Sequence, residues 1–269
     1  MGARKRPLPI LASIAAVAVL SVTGVALAKQ AQTRIVVGDL ALTVGGGISP
    51  SKLPRNEYVP VTADMFGKIA TTNGGHPPAF RELVLDVDRD FKVNVRGLPV
   101  CTPGELEATN TKAALKACGD TRLGSGSAHA EIAFPEQRPI KVASPLEVFN
   151  GGEAGGKVKL LVHTFITVPV PAAIVTQVTI QRKGSGIHAI AKVPVIAGGS
   201  GSAVDFSFKL GKTYSHKGRK VGYLEARCPD GVFKVSSPKT VFKNEANTPG
   251  FAPTTVLKGS VALPCTPKG

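Results

Sequence analysis

Asp86, Asp88 and Asp90 stand at alternate positions of the segment Leu83 to Val95, LVLDVDRDFKVNV. On a strand, side chains at i, i+2 and i+4 share one face, with neighbours roughly 6.5–7 Å apart. Three carboxylates so arranged could gather Ca2+, a cation that takes many oxygen ligands. Leu83, Leu85 and Val87 take the other face, the alternation of a half-buried strand. The run fails as an EF-hand loop, because its sixth place is Phe91 rather than Gly and its twelfth is Gly97 rather than Glu. A solvent-facing strand, with Arg89 and Lys92 beside the acids, accounts for the same residues without an ion. No cofactor is expected, and Ca2+ is the one metal to which the sequence points.

Nucleophilic chemistry finds little support. A nucleophile elbow needs G-x-S-x-G. Ser200 comes nearest, in Gly198-Gly199-Ser200-Gly201-Ser202, but the last position is Ser and the run reads as a turn. There is no H-E-x-x-H, and His76, His129, His163, His188 and His216 are scattered. Paired carboxylates for glycoside hydrolysis leave no sequence signature, because their separation is set by the fold. Sugar sites favour aromatic platforms, yet the chain has no Trp and only Tyr58, Tyr214 and Tyr223. No catalytic residue is assigned. A deep pocket holding two or more of Asp86, Asp88, Glu131, Glu225 and His163 would turn the reading toward an enzyme.

Four cysteines, Cys101, Cys118, Cys228 and Cys265, read as two disulfides of an oxidising compartment. Three pairings are open, and the spacing favours Cys101–Cys118 and Cys228–Cys265, since each brackets a compact unit. Within the first, Thr102-Pro103-Gly104-Glu105 fits a capping box with proline at the first helical position. Lys112 to Ala117 are good helix formers, and Gly119 sits where a C-terminal cap belongs. At the second, Cys228-Pro229-Asp230-Gly231 fits a type I turn, and Cys265 follows the last strand.

The elements that must position these residues are strands. Val, Ile and Thr are abundant, and Gly (30) and Pro (21) are frequent. Strands are expected over Arg34–Val44, Val59–Thr71, Leu83–Val95, Ala128–Phe134, Ile140–Phe149, Lys157–Val168, Ala173–Arg182, Ile187–Val195, Val204–Leu210, Val221–Cys228, Val232–Val235 and Val256–Leu263. Loops or turns are expected at Gly45-Gly46-Gly47, Asn73 to Pro78, Asn150-Gly151-Gly152 and Lys183 to Gly186. Leu123 to Ala128 reads as a small-residue segment. The fold class is all-β, an antiparallel β-sandwich (jelly-roll-like or related) with one short helical excursion and two disulfides. It forms a single domain over 29–269, with a sub-boundary near 97–120.

The pattern Gly97-Leu98-Pro99-x-Cys101, then Cys118-Gly119-Asp120 with Gly124-Ser125-Gly126, then Ala226-Arg227-Cys228-Pro229-Asp230-Gly231, resembles uncharacterised secreted β-rich proteins of soil actinobacteria. The similarity spans much of 59–265. It implies export and a β-rich fold and brings no activity with it.

Residues 1–28 read as a secretory signal peptide: a basic head at Arg4-Lys5-Arg6, an apolar core from Ile10 to Leu20, and Ala26-Leu27-Ala28 before the cut. A retained membrane anchor is the alternative, since the apolar stretch approaches the roughly 20 residues a spanning helix needs. The net charge is +15; the three charges of the head leave +12 on the remainder. Such a balance attracts polyanions. Expected partners are anionic envelope polymers or lipid headgroups, met by dispersed basic residues including Lys217, Arg219 and Lys220, with no specific nucleic acid. The reading is thus an exported cell-envelope or extracellular binding module with a basic surface. The alternatives are a hydrolase acting on an envelope polymer and a purely structural envelope protein. Cleavage after Ala28 predicts Lys29 as the mature N-terminus. N-terminal sequencing of the native protein checks this, and an intact Met1 on membrane-bound protein would instead mark an anchor.

Overall fold

Segments that alternate apolar and polar residues bury one face of a sheet, and the sheet must then find something to cover that face. This chain covers it with itself. The computed structural model describes residues 30–107, 109–135, 137–184 and 186–269, so the segment read as a signal peptide lies outside the described residues. In chain order the elements are β1 (Ala31–Val37), β2 (Leu40–Ser49), β3 (Lys52–Pro54), β4 (Val59–Pro60), β5 (Thr62–Thr71), β6 (Ala79–Val87) and β7 (Phe91–Val93). Helices α1 (Pro103–Leu106) and α2 (Thr111–Cys118) follow, then β8 (Arg122–Ile132), β9 (Ile140–Ala154), β10 (Lys157–Ile166), β11 (Ala172–Lys183), β12 (Gly186–Lys192) and β13 (Gly201–Leu210). The chain closes with β14 (Thr213–His216), β15 (Arg219–Gly222), β16 (Leu224–Ala226), β17 (Val232–Lys243), β18 (Thr254–Pro264) and β19 (Thr266–Lys268).

Twelve strands form one sheet in the order β1-β2-β5-β13-β8-β9-β10-β11-β12-β6-β17-β18. Every neighbouring pair in it is antiparallel. The two edge strands meet again: Thr33 Oγ1 on β1 donates to Ser260 O on β18 at 2.8 Å. A Cβ added to Gly259 of β18 would lie 2.2 Å from Ile35 Cδ1 of β1. The sheet therefore curls into a nearly closed barrel, and the two layers expected of the all-β fold are its opposite walls. A small sheet, β4-β16-β7, and the hairpin β14-β15 gather at one end. β6, β11 and β13 finish at that end, and β10, β12 and β17 start from it. At the far end Ile132, Val142, Ile166 and Ile196 pack together, all buried.

Both disulfides form as the spacing suggests: Cys101–Cys118 with Cα atoms 5.6 Å apart and Cys228–Cys265 with 6.1 Å. The helical excursion also follows its local signals. Thr102 N–H donates to Glu105 Oε2 at 2.7 Å, and Asn110 Oδ1 accepts from Ala113 N–H at 2.9 Å. Leu106, Ala114 and the disulfide pack on Phe149 and Leu161, which cover the outside of β9 and β10.

Several local expectations change. Arg34–Val44 is a hairpin rather than one strand, turning at Gly38-Asp39. Gly45-Gly46-Gly47 lies inside β2, paired to Phe66, Met65 and Asp64, because ladder bonds to both neighbours outweigh the glycines' weak strand preference. Leu123–Ala128 is likewise part of β8. Asn150-Gly151-Gly152 is not a turn but the site where the β9–β10 register shifts. Gly152 takes the positive φ of 83° that this bulge requires, and β9 continues to Ala154.

Cys228–Cys265 ties the strand that leads into β17 to the end of β18, the last strand of the wall. Replacing both cysteines by serine is expected to cost about 2–5 kcal/mol, measured by urea unfolding. Non-reducing peptide mapping should recover only the two sequential pairs.

Candidate functional site

The inward positions of the barrel are mostly apolar. On β11 they are Ile174, Thr176, Val178 and Ile180; on β12, Ile187, Ala189 and Ala191; on β13, Ala203, Phe206 and Phe208. The outward positions of the same strands are mixed, with Gln177, Thr179, His188, Ser207 and Lys209 beside the apolar Val175 and Ile190. Asp86 pairs with His188, and Lys192 lies opposite Glu82. The inward side chains meet across the barrel only in part: Phe80 of β6 stacks on Phe206 of the opposite strand β13, with ring centroids 6.5 Å apart. Together the inward side chains enclose a cavity of ≈ 380 Å³ to which all twelve strands of the wall contribute. β11 shows the consequence: none of its residues is fully buried, although half of them face inward.

Phenylalanine rings also cover glycines, on the inner face of the wall at Gly67 and on its outer face at Gly45. A Cβ on Gly67 would lie 2.5 Å from Phe206 Cζ, and one on Gly45 would lie 2.6 Å from Phe66 Cζ. In each pair the ring covers the glycine directly opposite it in the ladder. Tyr223 also lines the cavity, is fully buried, and its hydroxyl has no partner among the described residues. Burial pushes its phenol well above the usual range.

At the end that carries the small sheet, the cavity adjoins a polar space of ≈ 570 Å³. Lys92, Arg96, Arg182 and His216 border it, with Glu153 as its only carboxylate. Val93, Ile180 and Ile187 line both spaces, so the polar one forms a mouth-like recess directly against this end of the apolar one. Its geometry is fixed from the backbone. Tyr214 Oη donates to Arg96 O at 3.1 Å. Gly97, with φ 82°, lets the His216 ring approach so closely that a Cβ there would lie 2.3 Å from Nδ1.

The residues singled out in the sequence go elsewhere. β6 ends at Val87, because Asp88 turns the chain. The three aspartates therefore do not share one strand face, and each has its own partner. Asp86 Oδ1 lies 2.6 Å from His188 Nδ1. Asp88 accepts from the Asp90 and Lys234 N–H groups at 3.2 and 3.3 Å. Asp90 is buried and accepts from Arg227 Nε at 2.7 Å. Lys217, Arg219 and Lys220 are exposed on the β14–β15 hairpin, whose turn is Lys217-Gly218 with both φ values positive, 50° and 74°. Arg219 is the ladder partner of His216 and so shares the face toward the mouth. Ser200 sits in a turn, as expected, donating to Ala197 O at 2.7 Å. None of Asp86, Asp88, Glu131, Glu225 and His163 lines the cavity.

One constellation has no signal in the sequence, because its members are more than fifty residues apart. His76 Nε2 lies 3.2 Å from Ser202 Oγ and its Nδ1 lies 3.6 Å from Glu131 Oε2. The order hydroxyl, imidazole, carboxylate is that of a nucleophile with its base, but the protons run the other way. Ser202 Oγ donates to Pro77 O at 2.6 Å, so it accepts from His76. Ser202 is 1% exposed. It lies on the wall's outer side, since its neighbour Ala203 faces the cavity. The group works as a latch that holds the Asn73–Pro78 loop to β8 and β13.

No family model matches the chain, and comparisons with curated proteins and with solved structures find no match.

His76 and the fully buried His163, whose Nε2 donates to Thr109 O at 3.0 Å, share one electrostatic property. Burial lowers the pKa of both; Glu131 opposes this for His76, and Thr109 O and Glu147 oppose it for His163. The unfolded chain then binds these protons more readily than the fold. Stability is full above the unfolded value of about 6.5 and is lost as pH falls through it, by at most about 1.4 kcal/mol per pH unit per site. Urea unfolding should therefore show weaker stability at about pH 5.5 than at about pH 7.5, and His163→Gln should lessen the difference. An unchanged pH dependence in His163→Gln would contradict the assignment.

Proposed function

We propose that this protein is an exported binding protein that takes an acyl chain, or a comparable linear apolar ligand, into its barrel. The observation that carries the reading is the apolar cavity of ≈ 380 Å³ walled by all twelve strands. Ligand pockets fall in the range of roughly 300–1,000 Å³ and are mostly apolar with a few polar groups at fixed places. A dry void of this size is costly. At the roughly 24 cal/mol per Å³ found for truncated cores, it would amount to about 9 kcal/mol, comparable with the roughly 5–15 kcal/mol that holds a domain together. An apolar occupant recovers the missing contacts.

The distribution of polarity supports a carrier over a pore. A membrane-spanning barrel has an apolar outer band and a polar lumen, whereas this lumen is mainly apolar and the outer face carries ion pairs such as Lys239 with Glu82. Two disulfides fit an oxidising compartment, and no described helix is long and apolar enough to cross a membrane. The exposed Lys217, Arg219 and Lys220 beside the mouth supply an attraction to anionic lipid headgroups or envelope polymers, one that weakens as salt rises.

Titration of the delipidated mature protein with a fluorescent polyene fatty acid should give saturable one-to-one binding. Ala189→Phe places a ring in the cavity. It is expected to weaken binding by about tenfold or more while leaving the thermal midpoint unchanged or raised, because the ring fills space. Non-saturable uptake, or equal binding by the variant, would contradict the reading.

A further inference from the structure

An apolar tail accounts for the cavity but leaves the mouth unexplained. Its border carries two arginines, a lysine and His216 against one carboxylate, Glu153. Among the described residues, neither Arg96 nor Arg182 forms an ion pair. Lys92 Nζ instead lies 3.6 Å from the centre of the Tyr58 ring. The two arginines come from separate segments, Arg182 from the end of β11 and Arg96 from the loop after β7. Tyr214 holds the backbone of that loop through Asn94 O and Arg96 O. A guanidinium matches two oxygens of a carboxylate or phosphate at once. The mouth leads directly to apolar surface at Val93, Ile180 and Ile187. Tyr223 stands in the chain two residues after Val221, which borders the mouth, and its backbone O accepts from Asn94 N–H, also at the mouth. Tyr223 is among the residues that line the cavity, and its buried hydroxyl has no partner among the described residues.

We propose that the ligand is a single-chain amphiphile with an anionic head, a carboxylate or a phosphate monoester. Arg96 and Arg182 hold the head, and the tail runs past Ile180 and Ile187 into the barrel. This rests on the apolar-cavity reading and adds the charge of the head to it. The ligand is oriented by its charge, tail toward the closed cluster at Ile166 and Ile196. Lys217 and Arg219, on the hairpin beside the mouth, raise the local concentration of the anion without touching it.

The test uses the delipidated mature chain and four oleyl ligands: oleate, oleoyl lysophosphatidate, oleyl alcohol and oleylamine. Each displaces the same fluorescent fatty acid. Both anions are expected to bind about tenfold or more tightly than the alcohol, and the amine weakest, since a charge-assisted contact is at least of that size. The double variant Arg96→Gln/Arg182→Gln should lose that preference while keeping its affinity for the alcohol, which also shows that the variant folds. Equal binding of oleate and oleyl alcohol by the natural chain, or an anion preference that survives the double substitution, would overturn the head-group assignment and leave the cavity reading standing. Displacement by inorganic phosphate alone would mark a free-anion site and overturn the amphiphile. Failure of all four ligands to bind would overturn the cavity reading and this proposal together.

Discussion

The number of strands in the wall constrains everything inside it. Barrel diameter grows with strand number, and at about eight strands the inward side chains just fill the interior or admit one small ligand. This wall has twelve. Its inward positions are not enlarged to compensate: Ala128, Ala130, Ala189, Ala191 and Ala203 are among them. Of the large inward rings, Phe206 covers Gly67 and stacks on Phe80 of the opposite wall. A wide wall lined in large part by short side chains still leaves space along its axis. The remaining elements can be understood as supports for that wall. The β4-β16-β7 sheet brings Phe91, Val93 and Leu224 against one end. The helical excursion braces β9 and β10 from outside, and Cys228–Cys265 secures the last strand.

Much of this frame is legible in the sequence, and what is not has a physical reason. The alternation of Val204 to Leu210 correctly sends Phe206 and Phe208 inward, because a half-buried strand imposes its period on the residues directly. The disulfides and the Thr102–Glu105 cap follow from local spacing. The register shift at Gly151-Gly152 is different. A turn and a bulge both call for a glycine at positive φ, and only the ladder to β10 distinguishes them. The cavity is illegible for a related reason. Ile180 facing a lumen and Ile180 facing a packed core have the same place in the pattern. The only hint was the small residues at inward positions, as in Ile187-x-Ala189-x-Ala191. The mouth collects Lys92 and Arg96, Arg182 and His216 from three segments, and nothing in their local sequence marks them as partners.

Charge and apolarity divide the molecule between them. The positive balance of the sequence is dispersed, and most of it solvates the outer face, where pairs such as Arg122 with Glu147 at 2.6 Å and Lys239 with Glu82 at 2.8 Å bridge neighbouring strands. The expected acidic cluster is dispersed as well. Each aspartate holds a different join, and Asp90 with Arg227 secures the loop between β6 and β7 against the strand that leads to Cys228. At the mouth four basic side chains border an apolar space against the single carboxylate of Glu153. That juxtaposition gives the molecule its direction: a polar end where a charged group can stay solvated, and a closed apolar end where it cannot.

The most direct test is a crystal structure of the delipidated protein grown with stearate that carries bromine along its chain. Anomalous scattering locates the bromine atoms independently of any fitted ligand. The account predicts peaks on the barrel axis in contact with Val178, Ala189 and Phe206. Peaks confined to the outer surface, or a lumen filled by the protein's own side chains, would contradict it.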